Sequence, residues 1–396
     1  MSASVPQPQM TAPPQEARVH LGWLDSLRAL AALYVVVGHI FLTIWAAPPH
    51  FHGLTLAVVA PFRYGQSAVS LFIVLSGFSL MLPITRGNGT LRGGTWKFFA
   101  RRAKRIVPTY YAALCLSLVL IHFFVHSKTG TRWDDAIPVN KTDILTHLLM
   151  VQDVLSRHKI NPAFWSISVE WRIYFLFPLL VLLFGKWGSG KVALGMLVGS
   201  SLLLLAVQNN ILDGITPAFF ALFTLGMAAC EVSLGRQAYL TKLRDGFPWV
   251  AVAFPLLLVH LAMILKWRAN VSPIHLFMIE ISVGILWAIL LMMLGRPGPN
   301  RLRTYLSWKP LVFIGTFAYS IYLIHFPLVQ ILWQYGLHPL GKGPLATYLL
   351  LILIGLPLII AASYVFFLAF ERPFLNTKKR EPMAQTAQEA ALSPAP

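Results

Sequence analysis

Leu24–Ala47, LDSLRALAALYVVVGHIFLTIWAA, is long and apolar enough to cross a bilayer, which takes about 20 residues. It nevertheless carries Asp25, Arg28 and His39, and ionisable side chains inside a span are costly enough to mark function by default. At about 100° per residue, His39 lies roughly 20° round the helix from Arg28, and Asp25 lies within roughly 40° of His39. The three share one face, with Arg28 and His39 about 16 Å apart along the axis. A helix that only anchors a protein has no use for such a stripe.

The remaining sequence is of similar material. Its 396 residues are 57% hydrophobic and 12% charged, whereas about a quarter of the residues of a soluble domain are charged. Mean hydropathy is +0.66. This is the composition of a polytopic integral membrane protein. The formal net charge of +18 maps onto loops as topogenic charge, so nucleic-acid binding is rejected as its explanation. Cys115 and Cys230 fall in apolar spans, and no disulfide framework or metal site is indicated. Residues 1–20, rich in Pro, Ala and Gln, lack a charged start followed by an apolar core and read as a disordered tail, not a signal peptide. Residues 376–396 read likewise, leaving one membrane domain at 21–375.

Apolar segments recur near 24–47, 66–84, 106–126, 164–185, 191–207, 215–234, 248–265, 273–294, 311–335 and 345–370, about ten spans of bilayer length. Placing both termini in the cytoplasm gathers most Lys and Arg inside: the 86–105 segment, Lys186 and Lys191, Arg236 to Arg244, Arg296 to Lys309, and Arg372 to Arg380. The longest outer loop, 127–161, is balanced by four aspartates. That is the positive-inside pattern. The expected fold is an all-α bundle of about ten transmembrane helices, multi-pass in a bacterial inner (plasma) membrane. No internal repeat or broken span of the transporter type is evident.

Two further spans carry chemistry at depth. Ser166, Glu170 and Tyr174 share a face at i, i+4 spacing. Tyr319, Tyr322 and His325 share another at i, i+3 spacing. His39 and His325 both lie about 14–15 residues into outward-running spans, roughly 21–22 Å from the inner surface. Glu170, on an inward-running span, is expected at about 18–21 Å in a core about 30 Å thick. The layout predicts a long polar cavity with an anion-binding mouth at Arg28 and a His/Glu centre further out.

These stretches resemble the membrane-bound acyltransferase family 3, which O-acylates polysaccharides, lipid-linked glycans, peptidoglycan and some antibiotics. The resemblance rests on LDSLRALAALYVVVGH at 24–39, LFIVLSGF at Leu71–Phe78, RRAKRIVPTY at Arg101–Tyr110, PAFWSISVEWRIY at Pro162–Tyr174 and YSIYLIHFP at Tyr319–Pro327. Ser26 and Ala29 stand where the family pattern has glycines. The resemblance implies a cytoplasmic acyl-CoA donor, acetyl-CoA by default, no tightly bound cofactor, and a hydroxyl acceptor on a glycan or lipid-linked glycan. Arg28 with Arg101, Arg102 and Arg105 would then hold the phosphates of coenzyme A, because guanidinium groups bind them with charge-assisted, often bidentate bonds. His39 would be the general base, with Glu170 orienting its ring. Ser166, Tyr174, Tyr319, Tyr322 and His325 would hold the acceptor or the oxyanion. An acyl-enzyme relay, a macrolide-like small-molecule acceptor, and a transporter or proton relay built on the same His/Glu/Tyr cavity are the alternatives. Oligomeric state is not legible.

Some residues have a plainer reading. Asp25 reads as a first-turn acid and partner to Arg28, Glu170 has the alternative of pairing with Arg172, and Ser76–Gly77 reads as tight helix packing before it reads as a nucleophile. Glu280, His122 and His260 have no assigned role.

Overall fold

A computed structural model describes residues 21–45, 62, 64–87, 89–91, 93–207, 214–267 and 271–375. The tails expected at 1–20 and 376–396 lie outside the described residues. Every regular element among those described is helical.

In chain order the helices are α1 (Gly22–Ile44), α2 (Gln66–Thr85), α3 (Gly94–Phe123), α4 (Lys141–Leu148), α5 (Trp165–Trp187), α6 (Ser189–Val207), α7 (Ala218–Leu234), α8 (Ala238–Gly246), α9 (Trp249–Trp267), α10 (Pro273–Gly295), α11 (Arg301–Leu306), α12 (Lys309–Gly315), α13 (Ala318–Ile331), α14 (Pro344–Leu350) and α15 (Leu356–Phe366). Helix starts follow local chemistry. Ser272 caps α10 by a reciprocal box with His275, with Pro273 in the first turn, and Asn140 caps α4 with Asp143. Pro83, Pro108, Pro178, Pro255 and Pro327 lie inside helices, a tolerance seen in transmembrane helices, where neighbours satisfy the freed carbonyls. Segments Leu332–Leu337, Leu351–Gly355 and Phe367–Glu371 are π-helical.

Eight helices are long and apolar enough to cross a membrane, and ten spans result if each of two bent pairs counts as one. The expectation of about ten holds in that sense. The expectation of unbroken spans does not. The α7–α8 pair bends by 95°, and the run from α12 into Ala318–Leu340 bends by 71°. In the second case the helix breaks at Thr316–Phe317, directly before the stretch that carries Tyr319, Tyr322 and His325.

Burial ranks the spans. Two-thirds of α2 is buried (67%) and 56% of α1, against 22% of α6 and 6% of α9. On α6 the exposed side chains include Leu194, Val198, Leu202 and Leu205, and on α9 Phe254, Leu258, Leu261 and Leu265. Helices with apolar exposed faces belong against lipid, so α1 and α2 form the centre and α6 and α9 the rim.

The centre is closed by glycines. A Cβ on Gly77 of α2 would sit 2.0 Å from the Phe223 carbonyl oxygen of α7, and one on Gly226 of α7 would sit 2.0 Å from the Val74 carbonyl oxygen of α2. The two backbones touch at both points, which only small residues permit. Gly315 does the same at the start of α1, where a Cβ would meet the Asp25 carbonyl oxygen at 2.0 Å.

The stretch expected as an outer polar loop folds instead into a cap over the end of the bundle where α1 finishes. Trp133 is buried, donates from Nε1 to the Val125 carbonyl at 2.8 Å, and stacks on Phe326 of α13. Asn161 donates to the Leu323 carbonyl at 3.0 Å, and Arg172 of α5 is paired with Asp153. Arg172 therefore does not claim Glu170. The opposite end, where α1 starts, gathers Arg86, Arg296 and Arg303 and is the basic end.

Within the cap, burial holds the His147 imidazole below its ordinary range. The folded state therefore favours the neutral ring, and the unfolded chain takes up a proton first. Its contribution to stability is complete above the unfolded pKa of about 6.5 and is lost as the pH falls below that value. Amide exchange in 141–164, corrected for intrinsic rates, should accelerate on going from about pH 7 to about pH 5, and His147→Phe should flatten that dependence. An unchanged dependence in the variant would assign the effect elsewhere.

Candidate functional site

α1 and α13 bring two imidazoles together at the cap end. His39 Nδ1 lies 2.7 Å from His325 Nε2, with the rings stacked at 4.9 Å and Phe326 edge-on to His39. His325 Nδ1 is 2.7 Å from the Tyr322 carbonyl oxygen and 3.2 Å from that of Ile321. Carbonyl oxygens only accept, so Nδ1 of His325 carries the proton and its Nε2 is an acceptor in the neutral ring. His39 must then donate from Nδ1, which leaves its Nε2 with a free lone pair. Among the described residues, that nitrogen has no hydrogen-bond partner. His325 is fully buried and His39 only partly so. One ring is an anchor, and the other is presented.

Tyr322 sits one turn from His325 on α13, and its hydroxyl is 2.6 Å from Ser166 Oγ of α5. Two hydroxyls own two protons and use one in their mutual bond, so one O–H remains to donate. Phe72 of α2 packs edge-on against the Tyr322 ring. Tyr319 points to α3, its hydroxyl 3.4 Å from the Ile106 carbonyl.

Glu170 occupies a second polar group, nearer the basic end. Its Oε1 accepts from Ser76 Oγ at 2.8 Å and from the Tyr174 hydroxyl, and Ser76 and Tyr174 are 3.0 Å apart. Glu170 is one turn closer to the basic end than Ser166, and Tyr322 is three residues closer to it than His325. The carboxylate thus lies about 10 Å along the bundle from the imidazole pair. The hydrogen bonds place His325, and not Glu170, against His39.

Arg28 bonds Asp25 Oδ1 at 2.5 Å and Ser79 Oγ of α2 at 2.7 Å. Arg102 and Arg105 of α3 join this zone: Arg102 is within electrostatic reach of Tyr174 and Glu170, and Arg105 of Arg28. Among the described residues, Arg102 Nε is a buried donor with no partner, and Arg101 adds a further positive charge beside it. The donors proposed from the sequence therefore cluster around Glu170, and His39 and His325 form a separate centre beyond them.

Sequence reasoning missed three participants. Ser76 is part of the Glu170 group as well as lying beside a packing glycine. Ser79, three residues on along α2, shares its face and reaches Arg28. Glu371, 1% exposed, accepts from Ser320 Oγ at 2.5 Å and lies within reach of Arg105. A carboxylate at the end of the last apolar run was the available signal for Glu371. Elsewhere, His260 is bonded to Ser282 at 2.8 Å, a packing role. Among the described residues, no cluster of three His, Cys, Asp or Glu is placed to hold a metal ion.

A family model described as an acyltransferase domain matches residues 21–368. Over 333 residues the chain is 26% identical to the peptidoglycan O-acetyltransferase OatA of Listeria monocytogenes, covering 80% of this chain and 50% of that protein. Over 363 residues it is 24% identical to the O-acetyltransferase OatA of Staphylococcus aureus, covering 85% and 54%. The chain spans about half the length of the curated relatives it matches. No solved structure matches it.

Proposed function

This chain belongs to acyltransferase family 3, and from that premise we propose that it is a membrane O-acyltransferase with its basic end in the cytoplasm. The donor in this reading is an acyl-CoA, acetyl-CoA by default, and the acceptor is a hydroxyl of a cell-envelope glycan, peptidoglycan being the one named for relatives. The observation that carries the reading is the free Nε2 of His39, held in that tautomer by a chain of hydrogen bonds ending on a backbone carbonyl.

The chemistry follows from the geometry. The diphosphate of the donor sits among Arg28, Arg101, Arg102 and Arg105, and the pantetheine arm passes Ser76, Tyr174 and Glu170 to bring the thioester to His39. His39 Nε2 takes the acceptor's hydroxyl proton as the oxygen attacks the thioester carbonyl. The free O–H of the Ser166–Tyr322 pair donates to the oxyanion of the tetrahedral intermediate. The imidazolium returns its proton to the departing thiolate as the C–S bond breaks, giving the ester and free coenzyme A. His325 acts as the third member of a triad does: it fixes the base's tautomer and accepts from the imidazolium.

Membranes containing the protein, given acetyl-CoA labelled in the acetyl group and a glycan acceptor, should yield labelled glycan. Coupled proton flux without transfer would favour the relay reading, to which the two bent spans lend their only structural support. His325→Phe keeps a ring but removes the acceptor for His39 Nδ1. It should lower kcat by about 10- to 100-fold, in line with other orienting partners, with donor KM unchanged. Equal losses in kcat and donor affinity would assign His325 to packing instead.

A further inference from the structure

The basic end contains a cavity of about 510 Å³ that the reaction scheme does not use. Leu21, Gly22 and Trp23 at the start of α1 line it, together with Arg86 after α2, Arg296 after α10 and Arg303 of α11. Its volume is in the usual range for a small-ligand site, about 300–1,000 Å³.

Four observations give it a chemistry. Arg303 is held rigid by donating to the carbonyls of Leu294 (3.3 Å), Arg296 (2.8 Å) and Gly298. Arg296 is likewise tied, to the Arg244 carbonyl and to Asp245. Arg86 makes no side-chain hydrogen bond or ion pair among the described residues. Finally, among the described residues α1 begins here with no side-chain cap on its first-turn N–H groups, and Trp23, 2% exposed, has a buried Nε1–H without a partner there. Unspent backbone donors at the positive end of a long helix, an orphaned indole N–H and the unpaired Arg86 guanidinium call for an anion, and Arg303 and Arg296, though already bonded, add positive charge at the rim. Phosphate oxygens match them in charge and in acceptor number.

We propose that this cavity binds a phosphate-bearing ligand, seated on Arg86, the start of α1 and Trp23, with Arg296 and Arg303 as the fixed rim. Two sources share that chemistry. One is the 3′-phosphoadenosine end of the acyl-CoA donor, beyond the diphosphate at Arg28, which rests on the reading under Proposed function and places the adenosine about 25 Å along α1 from His39. The other is the headgroup of an anionic phospholipid.

The test uses the full chain in phosphatidylcholine nanodiscs, with adenosine 3′,5′-bisphosphate titrated by calorimetry. A parallel arm compares melting in discs with and without phosphatidylglycerol. Arg86→Glu is the informative variant because Arg86 makes no side-chain bond whose loss would unfold the protein. Trp23→Phe deletes the N–H while keeping the ring against Phe78. Arg86→Glu should weaken bisphosphate binding at least about ten-fold and Trp23→Phe by a few-fold. If bisphosphate does not bind but phosphatidylglycerol raises the melting point of wild type and not of Arg86→Glu, the site stands with the lipid as its source. Insensitivity of both arms to Arg86→Glu overturns the proposal. Bisphosphate binding in a protein that transfers no acyl group would sink the acyltransferase reading and leave this site in place.

Discussion

His39→Ala should lower kcat for acyl transfer by about 10²–10⁴-fold, the range that a positioned general base supplies, while donor KM stays close to that of the wild type. The separation is expected because His39 belongs to the centre at the cap end, about 10 Å beyond the group built on Glu170. Removing an imidazole there withdraws a proton acceptor and leaves the arginines that hold phosphate untouched. Added imidazole should restore part of the rate to the alanine variant, since the site left by the ring is lined by His325 and Phe326. Wild-type transfer by His39→Ala would remove it from the chemistry and leave the His39–His325 contact as packing.

A comparable loss, by a different route, is expected from Gly77→Val. A Cβ at this position meets a backbone carbonyl oxygen at 2.0 Å, and no rotamer change moves a carbonyl. α2 and α7 would have to part, at the pair of helices that closes the centre of the bundle. Overpacking typically costs about 1–3 kcal/mol, and a backbone clash in the most buried span should reach or exceed the top of that range. Ser76, the residue before it, would be drawn away from Glu170 and Tyr174, so surviving protein should also lose activity. Gly199 on the lipid-facing α6 has no atom within 4 Å of its hypothetical Cβ, and Gly199→Val should leave melting and yield unchanged. A wild-type melting midpoint for Gly77→Val would show that the seam can open at little cost.

The two imidazoles illustrate what the sequence made legible. Both lie on helices that start at the same end of the bundle, so helical rise alone places them at one level, and they meet at 2.7 Å. The face shared by Ser166, Glu170 and Tyr174 is also real: two of its members reach α2 and one reaches α13. Glu170's partners, Ser76 and Tyr174, were less legible, because the place of α5 along the bundle depends on a cap whose folding rests on tertiary contacts such as Trp133 on Phe326. The break before α13 was hidden for a related reason. Gly315 presses on the Asp25 carbonyl, and Thr316 and Phe317 carry no obvious turn signature, so the bend follows from how α12 meets α1 and not from local propensity. Ser79 was overlooked because a lone serine on an apolar helix is usually satisfied by its own backbone, and only the neighbouring Arg28 gives it a partner.

The π-helical turn at Phe367–Glu371 has a consequence for how this chain tolerates length changes. A π turn holds one residue more than the α-helix it interrupts, so whatever follows is rotated by about 100° relative to an uninterrupted helix. Glu371 closes that turn and meets Ser320 and the zone of Arg105 from there. A one-residue deletion within 367–370, harmless to the apolar run by composition, would straighten the turn and swing the carboxylate towards another side of the bundle. For this last helix the register of the chain is itself a functional element, and a deletion there weighs more than most substitutions.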